Sequence, residues 1–406
     1  MEGSTIWALI GPYFSLQGLS AMFHALWLFV MSLFVQWGLM PNKLTIEPTV
    51  FVSENEYQIV WESKYPSSGW VTVGNETYVD GVGGQLIFDQ TIHKVSVPME
   101  QLDTARGYEI HWQHVIRGPL IRKQGKEMSR AYSFRPIDFS DGLQTYHISD
   151  THSLLQAAGE GGKYWGDKLD LLILNGDIIT DIEMPRLLTD AVRLAWDVAG
   201  GQRPVLYTRG NHETRGAASN DLSRYVGTPG ADRWYYTTRL GPLWIAVYEA
   251  GEDKADDHVE YSGIADFEQY RARETAFFDN VIANAATEYD APDVEYRLLV
   301  SHIPVGAGSQ WYPAVMEAWQ AQANQMKLDL ALHGHWHVAE YYAPGTFKNY
   351  GEAANYPVII GCKPIHTEDR NGVFIGTAVE LTPDAVRSWF TNQGREVVTT
   401  LPVTTR

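Results

Sequence analysis

The chain has 406 residues, long enough for two or three folded units. Hydrophobic residues make up 45% and charged residues 20%, which excludes a largely disordered chain. Thirty-one Lys and Arg against 49 Asp and Glu give a net charge of −18, a sign that repels polyanions and argues against nucleic-acid binding. One cysteine, Cys362, excludes an intrachain disulfide and a Cys-based zinc finger.

Residues 1–41 are a hydrophobic segment, with no Asp, Glu, Lys or Arg from Gly3 to Asn42. Ile6–Leu16 is apolar but broken by Gly11 and Pro12, whereas Leu19–Met40 is just long enough to cross a bilayer as a helix. Trp37 suits an interfacial position and Pro41 ends the run. The reading adopted is a membrane anchor. Its alternatives are a helix packed in a protein or oligomer interface and a cleaved signal, the latter disfavoured because no early Lys or Arg precedes it. Lys43 is the lone flanking base, so orientation is weakly marked.

Residues 42–139 change to short alternating runs: Glu56–Trp61, Trp70–Val73, Lys94–Val97, Tyr108–Ile116 and Ala131–Phe134. Turn-rich pieces such as Pro66-Ser67-Ser68-Gly69 and Asp80–Gly84 separate them, a spacing that predicts a small all-β sandwich. The sequon Asn75-Glu76-Thr77 is of a kind common by chance.

Residues 140–406 alternate apolar runs with amphipathic helices, predicted at Met184–Val198, Phe267–Ala285 and Ala314–Met326. Several runs stop at a polar cluster. Thr145–Ser149 ends at Asp150-Thr151-His152, Leu171–Leu174 at Asn175-Gly176-Asp177, and Val205–Thr208 leads to Gly210-Asn211-His212-Glu213. Leu298–Ser301 ends at His302, and Leu328–Leu332 at His333-Gly334-His335-Trp336-His337. Such alternation predicts a layered α/β fold with ligands beyond the carboxyl ends of its strands. Asp, Asn and His offer oxygen and nitrogen donors without thiolate, a set suited to Mn, Fe, Zn or Mg. Two ions about 3.5–4 Å apart need a bridging ligand, which a carboxylate from a Gly-Asp turn can supply.

This ordered set, D-x-H, G-D, G-N-H-E, H and G-H-x-H, resembles the calcineurin-like metallophosphoesterase family. With the preceding β-rich segment and the run Gly251–Lys254 it looks like non-purple, bacterial relatives of purple acid phosphatase that carry a fibronectin-III-like domain. The resemblance implies an αββα domain over residues 140–406. It makes Asp150, His152 and His337 ligands of one metal and Asn211, His302 and His335 ligands of the other, with Asp177 bridging. It also implies a catalytic His212 acting on substrate, Glu213 orienting that histidine or lying behind the ligands, and a metal-bridging hydroxide as nucleophile. The family's purple members have a tyrosine where this chain has Thr180, so a colourless pair of divalent ions or a mixed-valence pair is expected.

The implied function is hydrolysis of phosphate monoesters, with diesters the alternative and a non-catalytic scaffold a remote third, since no ligand is missing. A small-molecule phosphate ester is the expected partner, with a membrane and an oligomer contact through the N-terminal helix. The expected location is anchored in a cell envelope, facing outside the cytoplasm. Substrate choice is expected in the loops Ser153–Leu169, Thr214–Ala231 and Gly251–Ile264. His147, His333 and His366 read as structural, Asn175 as a turn residue and Cys362 as buried. Arg215 reads equally as a phosphate contact or a surface ion pair.

Overall fold

The computed structural model describes residues 16–36, 41–117, 122–261, 263–365 and 372–405. Gly11, Pro12, Trp37, Ser262 and His366 lie outside these residues. Helix α1 (Leu16–Gln36) lies against the β-rich segment and leaves Met22, Phe23, Leu26, Trp27 and Phe29 exposed. Among the described residues no helix is long and apolar enough to cross a membrane. The spanning anchor expected over Leu19–Met40 thus finds no support in its described part.

The β-rich segment holds β1 (Leu44–Ser53), β2 (Glu56–Val73), β3 (Glu76–Val79), the short pair β4 (Gly81–Val82) and β5 (Gln85–Leu86), β6 (Gln90–Pro98), α2 (Met99–Ala105), β7 (Gly107–Arg117) and β8 (Arg122–Ser133). The C-terminal region opens with β9 (Leu143–Ile148), α3 (Leu155–Gly162), β10 (Leu171–Asn175), α4 (Asp190–Ala199) and β11 (Pro204–Thr208). It continues through β12 (Tyr236–Leu240), β13 (Leu243–Tyr248), α5 (Phe267–Ala283), β14 (Tyr296–Ser301), α6 (Pro313–Ala323), β15 (Leu330–His333), β16 (Glu340–Tyr342) and β17 (Val358–Ile360). Strands β18 (Ile375–Leu381), β19 (Ala385–Asn392), β20 (Val397–Thr400) and β21 (Thr404–Thr405) close the chain.

This region is the expected αββα stack. One sheet carries β18-β9-β10-β11 and the other runs β12-β13-β14-β15-β17-β16. Leu171, Ile173, Ile245, Leu298 and Leu332 fill the space between the sheets. Val192 and Leu194 of α4 cover the outer face of the first sheet, and Phe278 and Trp319 of α5 and α6 that of the second. The predicted helices form, although Pro185–Thr189 is a separate 3-10 turn before α4. Strands β18 and β19 extend the first sheet, β18 pairing antiparallel with β9.

The small all-β sandwich expected over 42–139 is joined to the following region by hydrogen bonding. Strand β1 pairs in parallel with β11, Val50 opposite Pro204 and Phe51 opposite Val205, so a single 13-stranded sheet runs from the C-terminal region into the β-rich segment. The reason lies in β1 itself. Its Val50, Phe51 and Val52 are all fully buried, the continuous apolar run of a strand covered on both faces, and alternation does not find such a strand. The turn expected at Pro66–Gly69 lies inside β2, one long strand that bends at a register irregularity, where a proline is tolerated.

Side chains reinforce this junction. Gln58 exchanges hydrogen bonds with Thr228, its Nε2 donating to the carbonyl and its Oε1 accepting from the amide. Lys94 Nζ donates to the carbonyls of Ser223 and Val226, and Arg224 Nη2 donates to buried Asp80 at 2.9 Å. Arg224→Leu would leave Asp80 without its main cation, and stability is expected to fall by about 2–3 kcal/mol in chemical denaturation.

Candidate metal centre

Strands β9, β10 and β11 are parallel within one sheet and β13, β14 and β15 within the other, so their carboxyl ends open on common edges. The loops leaving these ends bring two groups of side chains together. In the first, ligand atoms of Asp150, His152, Asp177 and His337 all lie within 4.8 Å of one another; Asp177, His302 and His335 form the second. Asp177 is common to both. His152 Nε2 is 3.1 Å from His337 Nε2, which is 3.4 Å from Asp150 Oδ1. Asn211 joins the second group, its Oδ1 3.0 Å from His335 Nδ1. The seven residues expected as ligands are therefore brought together in one cluster.

The backbone is bent to achieve this. Asp150, His152, Asp177, His335 and His337 all have positive φ, between 45° and 72°, a conformation that concentrates at functional sites. Gly176 precedes Asp177 with φ 72°, and a Cβ there would lie 2.5 Å from the His302 ring, so only glycine lets these two loops meet.

Groups behind the cluster aim it. His302 Nδ1 donates to the Asn175 carbonyl at 2.8 Å, which turns Nε2 toward Asp177. Asn175 itself does more than serve a turn: its Nδ2 donates to the carbonyls of Ser301 and Leu332, both at 3.1 Å, stitching one sheet to the other behind the centre. Glu213, fully buried, accepts from the amides of Asp177, Ile179 and Gly210 at 2.7–2.9 Å and so locks the Asp177 turn to the Asn211 loop. It does not orient His212. That contact falls to Asp181, whose Oδ1 is 2.9 Å from His212 Nδ1. His212 Nε2 is then 4.0 Å from Asp177 Oδ2, over the cluster.

The electrostatics fit a cation-binding centre. Burial, followed by the charge of Asp177, pushes Asp150 up to about 7. Burial opposes ionisation of Asp177 as well, but the charge of His302 overrules it and holds the carboxyl below its ordinary range. Burial depresses His152 and His335 to about 4, so both present neutral nitrogens. His302 Nε2 is buried and makes no hydrogen bond, although Asp177 Oδ2 is 3.1 Å away. Two donors lying side by side rather than head-on suit a common ion. Buried carboxylates, imidazoles and an amide oxygen without thiolate form a set for Mn, Fe or Zn.

His147 and His333 are buried and held neutral by burial, at about 3 and about 4, as structural histidines. Buried Cys362 follows β17 rather than lying within a strand. Arg215 spends its guanidinium fork on Glu252, Nε to Oε1 and Nη2 to Oε2 both at 2.7 Å. A cavity of about 850 Å³ adjoins this pair, lined by Arg215, Trp234, Tyr261, Phe267, Tyr270 and Arg273. Two of the loops expected to govern substrate choice thus line one cavity. Sequence reasoning missed Asp181, whose only signal was an acid four residues beyond the Gly-Asp turn; it singled out the run Gly251–Lys254 but not the contacts of Glu252 and Asp253.

Residues 143–339 match the family model of calcineurin-like phosphoesterase, so the chain carries a domain of this family. Its fold is similar to that of purple acid phosphatase PPD1 from yellow lupin (Lupinus luteus) seeds, with 14% identity, a TM-score of 0.56 and coverage of 89% of this chain and 74% of that one. It is also similar to PhoD, with 12% identity, a TM-score of 0.52 and 90% of each chain covered. No curated protein matches the sequence.

Proposed function

We propose that the chain is a dinuclear-metal hydrolase of phosphate esters, with monoesters the first substrate class and diesters the alternative. The observation that carries this reading is Asp177, which belongs to both ligand groups and can bridge two ions. Asp150, His152 and His337 would hold one ion with it, and Asn211, His302 and His335 the other. Thr180 stands where purple relatives have tyrosine and His152 supplies a neutral nitrogen, which favours divalent ions such as Mn, Fe(II) or Zn. When bound, such ions supply Lewis acidity and an acidified water.

The chain's own residues do the rest. Asp181 fixes His212 Nδ1 and keeps Nε2 over the cluster, where it can contact a phosphoryl oxygen or pass a proton to the leaving oxygen. Glu213 holds the Asp177 turn and the Asn211 loop in register, a supporting role. Arg215 is not placed as a phosphate clamp, because Glu252 occupies its fork. His212→Ala should retain both ions while losing about 10²–10⁴ in turnover; metal content by elemental analysis beside kcat checks this, and loss of ions would contradict it. Loading with Mn²⁺ and comparing p-nitrophenyl phosphate with bis-p-nitrophenyl phosphate tests the substrate class. Faster monoester turnover supports the first reading and faster diester turnover the alternative.

A further inference from the structure

The loop after β13 lies outside every expected ligand motif, yet it is braced at each residue. Glu249 donates its amide to Glu274 and its carboxylate holds Arg209 Nη2 at 2.9 Å and the Gly251 amide at 2.8 Å. Arg271 Nη1 donates to the carbonyls of Ala250 and Glu252, and the Tyr312 hydroxyl also donates to the Glu252 carbonyl. The Glu252 carboxylate accepts from Thr214, Arg215 and Tyr261, and the Ser309 hydroxyl donates to the Asp253 carbonyl. Gly251 has φ 68°, and a Cβ there would lie 2.1 Å from the Phe267 ring, so the loop has little room to move.

This bracing presents one carboxylate, Asp253, to the metal centre. Its Oδ1 accepts from Lys254 Nζ at 2.9 Å, with Arg215 Nη2 3.8 Å away. Its Oδ2 is turned to His335 Nε2 at 3.8 Å. The other ring nitrogen, Nδ1, faces the Asn211 oxygen at 3.0 Å. That pair is joined either by a proton on Nδ1 or by a cation that both atoms ligate.

We infer that Asp253 is the positioning residue of the second metal site: its Oδ2 faces the Nε2–H edge of His335 and favours the tautomer that leaves Nδ1 as the ligand nitrogen beside Asn211. A carboxylate behind a ligand histidine fixes its tautomer and raises its basicity, and loss of such a partner typically weakens metal binding 10–100-fold. The inference rests on the metal-centre reading above. Lys254 and Arg215 face the Oδ1 side of the carboxylate, so Oδ2 stays directed at the ring.

The test is Mn²⁺ binding followed by calorimetry in two backgrounds, each retaining one ligand group. In His337→Ala, where the Asn211–His302–His335 group remains, Asp253→Ala should weaken Mn²⁺ binding about 10–100-fold, and Asp253→Asn less, since its amide oxygen can accept the same proton. In His302→Ala, where the other group remains, Asp253→Ala should change the affinity by less than about 2-fold. Unchanged affinity in the first background overturns the inference, as does equal loss in both, which would report collapse of the loop. A wild-type chain that binds no Mn²⁺ overturns the metal reading itself and this inference with it.

Discussion

Asp177→Asn is expected to empty both metal sites and to lower turnover by more than about 10²-fold, a larger effect than any other single ligand change. The residue contributes to both ligand groups, and the amide keeps its size while removing the charge that two cations share. Removal of a residue behind a ligand already costs about 10–100-fold in affinity, so removal of the bridge should exceed that at each site. Asp150 belongs to one group alone, so Asp150→Asn should weaken one site and spare the other. Metal analysis of both variants, with circular dichroism to confirm folding, separates these outcomes. Two ions and normal turnover in Asp177→Asn would remove the bridging assignment.

The second large effect concerns the β-rich segment. A chain starting at Arg135 is expected not to fold cooperatively, although a separable domain arrangement would allow it. Removing β1 strips the edge of β11 of its parallel partner. Val50, Phe51, Val52, Ile59, Val60 and Trp61 are each 0% exposed. At about 1.5–3 kcal/mol for each buried side chain, their loss is of the same order as the whole stability of a domain, about 5–15 kcal/mol. The truncation also takes away Gln58, Asp80 and Lys94, which hold the segment Ser223–Thr228. Thermal unfolding by circular dichroism is the check. A cooperative transition together with two bound ions in the shortened chain would show that the sheet junction is dispensable.

Much of the site was legible because its chemistry sits in contiguous motifs at strand ends. Asp150 and His152, Asp177, Asn211, His302, and His335 with His337 are each announced by an apolar run that stops at a glycine or a polar cluster. The supporting contacts were not legible, because they join loops distant in sequence. Asp181 reaches His212 across 31 positions, and Asp253 meets His335 only after β13 and β15 are brought side by side through β14. A layered α/β fold followed from strand–helix alternation, and its αββα form from the family resemblance. The β-rich segment misled because β1 carries no alternation and its partner β11 is more than a hundred residues away; no local pattern encodes that pairing.

The N-terminal helix shows a similar limit. Absence of charge from Gly3 to Asn42 suggested a span, but among the described residues no helix is long and apolar enough to cross a membrane.

The most direct test of the central claim is p-nitrophenyl phosphate hydrolysis by the wild-type chain, titrated with Mn²⁺ after treatment with a chelator. The account predicts negligible phosphate release without metal and activity that rises to a plateau at two ions per chain. Release that is indifferent to the chelator, or no release with two ions bound, would contradict it.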